Sequence, residues 1–335
     1  MAQHDVVVIG ASSGGVEALL KVLSGLPAEL AAAVFVVLHV RPDAPSYLPA
    51  ILNRAGNLPA AHAVDGESIR QGRIYVAPPG HQTYVQKGRI GVRRGPSENL
   101  HRPAIDPLFR TAAHHYGPRC IGIVLSGALD DGSAGLLAIE RGGGVTIVQD
   151  PTDAAVPNMP TNALAKVSAD YCVRADAMGE LLTRLVPTEA RTGELPVEVP
   201  LETIVEAESR GDAHASAELG NPTPFTCPDC SGTLYEIHDG GAVRYRCRVG
   251  HAYSEDTLVQ AQSDSVERAL WTAVRALEER MALVEKLAGD ARSRRHEGVA
   301  IMFEQRRQDI DRDIRAIHDL ITTGQSLEPV GQEPI

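Results

Sequence analysis

At 335 residues the chain is long enough for about two domains, and its 43% hydrophobic content can build a substantial core. A formal net charge of −11 argues against a general affinity for nucleic acid or anionic membranes. There is no signal-like amino terminus and no apolar run near the roughly 18 residues of a spanning helix, so we expect a cytoplasmic protein without membrane insertion. The five cysteines do not indicate a disulfide framework, and Cys120 and Cys172 lie in apolar runs that predict core positions.

The first 187 residues alternate short apolar runs with helical patterns. The runs that predict strands are 5–10, 34–40, 73–77, 120–126 and 144–149, and the helical patterns lie near 14–25, 46–55, 106–116, 132–142 and 175–186. This alternation predicts an α/β fold with a doubly wound, mostly parallel sheet and helices on both faces. Residues 84–92 predict an antiparallel hairpin that turns at Lys87-Gly88.

A linker and a Cys/His segment follow this region. Residues 188–223, rich in Glu, Pro, Ala and Gly, predict a linker. Residues 224–253 contain the spacing C-x2-C-x16-C-x3-H, formed by Cys227, Cys230, Cys247 and His251. Three thiolates and one imidazole suit a closed tetrahedral site, so we expect a zinc-ribbon-like module that holds structural zinc. A metal-free ribbon and a redox C-x-x-C motif are the alternatives.

The last part of the chain, residues 254–325, predicts a long helical hairpin. Its two amphipathic helices are expected at about 254–289 and 294–323, with Gly289 near the break between them. Because both helices carry long apolar faces, we expect them to bind a partner or to form a homodimer.

The amino-terminal apolar run ends in a literal G-x-S-x-G, from Gly10 through Ser12 to Gly14, directly before a helical pattern. Between a strand and a helix, this motif is typical of a nucleophile elbow that presents its serine. A phosphate-binding loop and a purely structural turn are the alternatives. The phosphate-loop alternative lacks a glycine at position 12 and an acidic residue after the second strand, where His39 stands instead.

His39 and Asp131 are the candidate partners of Ser12. A serine nucleophile needs a base, and the base needs a group that orients it. In a parallel sheet, functional groups gather at the carboxyl ends of the strands. His39 ends the second apolar run, and Asp130-Asp131 follow the run 120–126, so all three side chains are expected at one sheet edge. The alternatives are an ordinary surface or core histidine and a turn with a helix N-cap.

Five ordered segments of the chain match one known family. They are Ile9–Gly15, Val37–Pro42, Gly72–Pro78, His101–Asp106 and Leu125–Gly135. Residues from about 5 to 185 therefore resemble the catalytic domain of the bacterial chemotaxis protein-glutamate methylesterases, the CheB type. The Phe-x-Cys and Cys-Arg-x-Gly-His signatures resemble the Cys/His module found behind stand-alone domains of this type.

The resemblance implies a serine hydrolase without a catalytic cofactor. By this resemblance Ser12 is the nucleophile, His39 the base and Asp131 the orienting aspartate. The resemblance also assigns this last role to Asp131 instead of Asp130. The implied reaction is hydrolysis of glutamyl γ-methyl esters on a methylated chemoreceptor or related signalling protein, with glutamine deamidation as a related activity.

Further residues are expected around the substrate. The backbone N–H groups of Ser13, His39 and Ala128 are candidate oxyanion donors. His101 and Arg102 belong to a family-like loop that is expected to line the site, with a loop ordered by a buried arginine–aspartate pair as the alternative.

Two rival functions stay open at this point. One is a signalling adaptor that has lost its substrate and recruits partners through the Cys/His and helical tail. The other is a nucleotide-binding regulator. Chemotaxis members usually carry an amino-terminal receiver domain that blocks the site, whereas the resemblance here begins near residue 5. We therefore expect control by other means.

Overall fold

A computed structural model describes residues 3–191, 220–239 and 242–323 of the chain. It divides the chain into two units, Met1–Leu258 and Val259–Ile335. Most of the predicted linker 188–223 lies outside the described residues, and so do Gly240 and Gly241.

The first unit contains nine strands before the Cys/His segment. They are β1 (Val6–Ala11), β2 (Ala33–Leu38), β3 (Ala60–His62), β4 (Arg73–Val76), β5 (Gln82–Gln86), β6 (Arg89–Arg93), β7 (Cys120–Val124), β8 (Val145–Gln149) and β9 (Tyr171–Val173). Seven of them form one sheet in the order β3-β4-β2-β1-β7-β8-β9, and every pairing in it is parallel. The predicted fold class is therefore confirmed.

Six helices cover the two faces of this sheet. They are α1 (Gly15–Ser24), α2 (Leu48–Ala55), α3 (Ile105–Tyr116), α4 (Ser133–Arg141), α5 (Asn158–Lys166) and α6 (Ala175–Leu185). Side chains of α1, α2 and α6 pack with Val7 and Ile9 of β1 in one core. Side chains of α3, α4 and α5 pack with Val6 and Val8 in the other core. Alternate residues of the fully buried β1 therefore feed opposite cores, as expected for a strand covered on both sides.

The strand order places a topological switch point at β1. The chain proceeds from β1 to β2 on one side, and later returns to β7 on the other side. Ligand sites of open parallel sheets lie at the carboxyl ends of the strands beside such a point. The residues that follow β1, β2 and β7 therefore occupy the edge where a site is expected.

Before the Cys/His segment, the sequence patterns miss three short elements, β3, β9 and α5. The two strands have three residues each, too few to show a period, and the nine residues of α5 bury only Met159, Pro160 and Ala163. The core position predicted for Cys172 is wrong, because β9 is the edge strand and the cysteine is exposed there. Cys120 is buried as predicted.

The predicted hairpin forms a sheet of its own. Strands β5 and β6 pair antiparallel with Gln86 opposite Arg89, so the turn lies at Lys87-Gly88 as predicted. The hairpin is anchored on α3, because the backbone N–H of Val85 donates to Thr111 Oγ1 at 3.0 Å.

The Cys/His segment folds as four antiparallel strands within the same unit. They are β10 (Asn221–Thr226), β11 (Thr233–Asp239), β12 (Ala242–Cys247) and β13 (Ala252–Tyr253), in sequential order across the sheet. Glu98 forms an isolated bridge with Ala252, so the loop before α3 continues the pairing of this small sheet.

The second unit consists of most of α7 (Glu255–Ser293) and all of α8 (Glu297–Thr323). The buried side chains of its core are Val274, Val284, Ile310 and Ile314. The predicted break at Gly289 is wrong, because α7 continues past this glycine to Ser293. The chain reverses at Arg295, which has a left-handed φ of 62°, while the His296 N–H donates to Ala291 O. No helix among the described residues has the length and apolar character needed to cross a membrane.

Candidate active site

Ser12 lies on a tight turn between β1 and α1. Its backbone N–H donates to Ser126 O at 2.9 Å, and its carbonyl accepts from Gly15 N at 2.8 Å. Gly14 has a φ of 73°, and a Cβ there would lie 2.8 Å from Ser126 Oγ. The turn therefore requires glycine at position 14 on two grounds, the left-handed backbone and the lack of space.

His39 lies beside Ser12 because β1 and β2 are paired in register. Ala11 is opposite Leu38, and the backbone N–H of His39 continues the pairing by donating to Ala11 O at 3.0 Å. The His39 Nε2 atom lies 2.7 Å from Asp131 Oδ2, and both side chains are nearly inaccessible to solvent. The fold thus brings the three predicted residues to the carboxyl edge of neighbouring strands.

Four donors surround the carboxylate of Asp131. Oδ2 accepts from His39 Nε2 and from the backbone N–H of Ile105, both at 2.7 Å. Oδ1 accepts from Asn99 Nδ2 at 2.9 Å and from the backbone N–H of Asp106 at 3.2 Å. Burial raises the pKa of Asp131, but the hydrogen bonds and the charge of His39 outweigh it and lower the pKa to about 2.

A second buried carboxyl group, that of Asp106, lies next to Asp131. Burial raises the pKa of Asp106, and the negative charge of Asp131 raises it further, to about 8. At neutral pH the pair therefore carries one negative charge. That charge lies on Asp131, the member that contacts His39.

The ionised state of Asp131 decides which ring nitrogen of His39 is basic. A carboxylate only accepts hydrogen bonds, so Nε2 must carry the hydrogen, and Nδ1 is left with a lone pair. Nδ1 is buried and has no hydrogen-bond partner among the described residues. An oriented imidazole with one free basic nitrogen is what a general base requires.

His101 contacts the site through His39. The two rings are stacked with centroids 3.5 Å apart. Burial lowers the pKa of His101, and the neighbouring His39 lowers it further, to about 4. His101 is therefore neutral at pH 7, and its ring covers one face of the His39 imidazole.

Arg102 makes its hydrogen bond within the loop that precedes α3. Its guanidinium NH1 donates to the carbonyl of Gly95 at 2.8 Å, which ties two parts of the loop together. The alternative arginine–aspartate pair is not formed with Asp106, whose carboxyl group accepts from Asn99 Nδ2 and from the N–H of Gly135. Among the described residues, Arg102 makes no hydrogen bond with Ser12, His39 or Asp131.

Two of the three candidate oxyanion donors are available. The N–H groups of Ser13 and Ala128 make no hydrogen bond within the described parts of the chain. The N–H of His39 is taken up by Ala11 O, which removes it as a donor.

The four residues of the C-x2-C-x16-C-x3-H motif converge in space. Their donor atoms lie within 4.8 Å of one another. His251 Nδ1 lies 3.7 Å from Cys227 Sγ and 3.6 Å from Cys247 Sγ, and the sulfur atoms of Cys230 and Cys247 are 3.6 Å apart. Tetrahedral zinc with bonds of about 2.3 Å to sulfur and 2.0 Å to nitrogen implies separations of roughly 3.5 to 3.8 Å. The donor set therefore fits a metal ion.

Sequence reasoning gave no role to Asn99 or Ser126. Asn99 Nδ2 bridges Asp131 and Asp106, both at 2.9 Å. Ser126 Oγ donates to the carbonyl of Ser13 at 2.7 Å and accepts from the backbone N–H of Val156 at 2.9 Å, so it braces the turn that holds Ser12. Ser126 stands in a matching family segment, which is a usable signal. Asn99 stands in no recognisable motif.

Comparison with known proteins gives a consistent result for the first half of the chain. The family model described as CheB methylesterase matches residues 7–182. The crystal structure of the Thermotoga maritima CheB methylesterase catalytic domain is similar, with a TM-score of 0.53 and 30% identity, over 56% of this chain and 100% of that one.

Curated relatives agree with this match. A Leptospira interrogans protein, provisionally named protein-glutamate methylesterase/protein-glutamine glutaminase, is 34% identical over 54% of this chain and 95% of its own length. A Bordetella pertussis protein named protein-glutamate methylesterase/protein-glutamine glutaminase is 37% identical over 55% of this chain. The match spans 54% of the Bordetella protein, about half its length.

Proposed function

The chain belongs to the CheB methylesterase family, a family of ester hydrolases, and we propose that it hydrolyses glutamyl γ-methyl esters on a chemoreceptor or related signalling protein. The observation that carries this proposal is the hydrogen bond of 2.7 Å between His39 Nε2 and Asp131 Oδ2 beside Ser12. It orients the imidazole and leaves Nδ1 as the ring atom that faces no other hydrogen-bond partner among the described residues.

The acylation step follows from this arrangement. Ser12 Oγ attacks the ester carbonyl carbon while His39 Nδ1 takes the serine proton. The tetrahedral intermediate collapses with cleavage of the bond to the methoxy oxygen, and His39 returns the proton to that oxygen, which releases methanol. Asp131 stabilises the imidazolium that exists between the two transfers.

Water completes the cycle. His39 Nδ1 takes a proton from water, whose oxygen attacks the glutamyl-Ser12 ester, and the proton then returns to Ser12 Oγ. The products are a glutamate carboxyl group and the regenerated serine. The unpaired N–H groups of Ser13 and Ala128 are the proposed oxyanion donors in both steps. A glutamine side chain gives the same acyl-enzyme with ammonia as the leaving group, so deamidation is the related activity.

A structural zinc ion is proposed for the Cys/His module. Burial and, after it, the neighbouring Cys227 raise the pKa of Cys247 to about 12, so a cation is needed for these thiols to become thiolates together. Bound zinc would supply that charge and would hold together Cys227 and Cys230, which lie between β10 and β11, with Cys247 and His251, which lie between the end of β12 and β13. The bound ion would stabilise the fold of the module.

Methanol release from a methylated receptor fragment tests the function. The wild-type protein is expected to release methanol, and Ser12→Ala is expected to lose at least about 1,000-fold in rate. Equal release by both proteins would disprove the role of Ser12. No release by the wild type on any methylated receptor of the source organism would favour the signalling adaptor, which the paired His39 and Asp131 and the names of the relatives argue against.

A further inference from the structure

The side chain of Asn99 connects the proposed triad to the far end of the Cys/His sheet. On one side, Nδ2 donates to Asp131 Oδ1 and to Asp106 Oδ2, both at 2.9 Å. On the other side, Oδ1 accepts from the backbone N–H of Ser254 at 2.9 Å and from Thr257 Oγ1 at 3.1 Å. Ser254 follows β13, and Thr257 lies in the first turn of α7.

Every hydrogen-bonding group of this amide is used. An asparagine side chain has two N–H donors and one carbonyl oxygen with two lone pairs, and Asn99 has four partners. The partners also fix which way the amide points. The Ser254 N–H can only donate, so it holds the oxygen, and the ionised Asp131 can only accept, so it needs the nitrogen. A flipped amide would place Oδ1 against the carboxylate.

The main chain of Asn99 is held by the same module. Its N–H donates to Ala252 O at 2.8 Å, and the N–H of Ala252 donates to Ser97 O at 3.2 Å. Asn99 has a left-handed φ of 49°, a conformation that asparagine tolerates better than most residues. The segment 252–257, which follows the Cys/His motif, therefore sets both the backbone and the amide of Asn99.

The neighbouring Asp130 gives a second connection. Ser254 Oγ donates to Asp130 Oδ1 at 2.6 Å, and Lys166 Nζ lies 2.7 Å from Asp130 Oδ2. Because Asp130 precedes Asp131 directly, Ser254 restrains the backbone that carries the proposed triad aspartate.

A buried ionic contact joins the small Cys/His sheet to α3. Glu98 accepts two hydrogen bonds from Arg110 of α3, at 2.8 and 2.9 Å, and one from Arg244 of β12 at 2.9 Å. All three side chains are almost fully buried. Removing one partner of such a cluster leaves an uncompensated buried charge, so this contact resists separation.

We propose that Asn99, Ser254 and Thr257 are positioning residues, through which the Cys/His module orients Asp131 against His39. This inference rests on the proposed function for its effect on turnover. It assigns the module a part in catalysis: Ser254 and Thr257 set the Asn99 amide, the amide sets Asp131, and Asp131 sets the ring of His39.

Thr257 offers a matched pair of variants for the test. Thr257→Val keeps the shape and removes the hydroxyl, whereas Thr257→Ser keeps the hydroxyl and removes a methyl group. Thr146→Val is the control, because Thr146 is also fully buried and hydrogen-bonded, to Asp170 Oδ2 at 3.1 Å, and lies at the amino end of β8. Asn99→Ala removes the amide itself.

Two readouts report on the triad without a receptor substrate. One is the downfield ¹H NMR signal of the proton between His39 Nε2 and Asp131, assigned by its loss in His39→Gln. The other is the rate at which an alkyl fluorophosphonate labels Ser12. We expect Thr257→Val to shift the signal and to slow labelling about three- to tenfold, and Asn99→Ala to slow it about 10- to 100-fold, because hydrogen bonds to charged groups are lost or weakened. Thr257→Ser is expected to restore most of the rate, and Thr146→Val to match the wild type.

The outcomes separate this inference from the proposed function. A wild-type signal and labelling rate in Thr257→Val would overturn the inference, even if the wild type releases methanol. Equal losses in Thr257→Val and Thr257→Ser, or in Thr146→Val, would also overturn it, because packing or general stability would then explain the effect. A shifted signal and slowed labelling in Thr257→Val without any methanol release by the wild type would support the positioning role and contradict the methylesterase.

Discussion

The imidazole of His101 lies flat on that of His39, with ring centroids 3.5 Å apart and planes 14° apart. Burial lowers the pKa of His101 to about 4, and the adjacent His39 contributes to this shift. A neutral ring in this place leaves His39 free to become the imidazolium that ester hydrolysis requires. A cation there would repel it.

The stacked pair predicts an acid-sensitive fold. The folded-state pKa of His101 lies below the value of about 6.5 for an unfolded histidine, so unfolding takes up a proton between those two pH values. Acid therefore destabilises the native state in this window. His101→Phe keeps a flat ring without titration. Between pH 7 and pH 4.5 the wild type is expected to lose about 2 to 3 kcal/mol more unfolding free energy than this variant, measured by urea denaturation.

The comparison with His101→Phe cancels the titration of the groups that both proteins share and that do not interact with residue 101. Parallel loss of stability in the two proteins across this pH range would show that His101 is not held neutral by the fold.

Asp131 and Asp130 are expected to differ sharply in their effect on turnover. Asp131→Asn removes the acceptor that selects the tautomer of His39, so kcat should fall about 10,000-fold with little change in KM. Asp130→Asn is the matched variant, since Asp130 contacts Lys166 and Ser254 instead of His39, and a fall of about tenfold or less is expected. Steady-state kinetics on a methylated receptor fragment measure both. Similar losses of kcat in the two variants would contradict the assignment of the orienting role to Asp131.

Gly127 is expected to tolerate no side chain. A Cβ at this position would lie 2.0 Å from Met159 Sδ and 2.7 Å from Ser12 Cβ. Gly127→Ala should therefore displace Ser12 and lower kcat about 100-fold, because a shift of about 1 Å in a reacting group costs that much. Gly298→Ala is the control, since a Cβ there meets nothing within 4 Å.

Shortening the neighbouring side chain separates the two clashes at Gly127. Gly127→Ala combined with Met159→Ala should recover thermal stability without recovering kcat, because the contact with Ser12 Cβ persists. Full recovery of kcat in the double variant would show that the clash with Met159 alone causes the loss of activity in Gly127→Ala.

The Cys/His module is expected to bind about one zinc ion per chain. Cys230→Ser should lose the metal and lower the melting temperature, because the bound ion contributes to the stability of the fold. Cys172→Ser is the matched control, since Cys172 is also exposed but lies on β9, outside the cluster. Elemental analysis of the purified proteins measures the zinc. Equal zinc contents in the two variants would contradict the site.

The two long helices are expected to form a homodimer. Several large apolar side chains of α7 and α8 are exposed, among them Leu283 at 58% and Ile301 at 68%. Burial of such side chains against a second copy is favourable. The wild type should be a dimer at micromolar concentration in sedimentation experiments, and Leu283→Glu with Ile301→Glu should shift it to monomer. Val64→Glu, at a position that is 61% exposed outside these helices, should leave the dimer intact.

The candidate active site of this protein could be predicted from local patterns. Ser12, His39 and Asp131 each follow an apolar run, and the carboxyl ends of parallel strands must meet at one edge, so their proximity follows from the α/β alternation itself. The Cys/His spacing likewise predicted its own convergence, because a short antiparallel hairpin joins the two ligand pairs.

Other features depend on contacts between segments far apart in the chain. The exposure of Cys172 follows from the place of β9 at the sheet edge, which strand composition does not encode. The continuation of α7 through Gly289 shows that a single glycine, costing about 1 kcal/mol in a helix, is outweighed by the apolar contacts of the whole helix pair.

The sequence by itself determined the family, the sheet and the residues proposed to carry the reaction, because these depend on periodicity and on motifs within short windows. Only the tertiary structure decided how those residues are held. Asn99 and Thr257 are separated by 158 positions, and their hydrogen bond exists because two segments pack with complementary donors and acceptors. The stacking of His101 on His39 and the neutral state of His101 depend on the same packing, since burial is a property of the assembled fold.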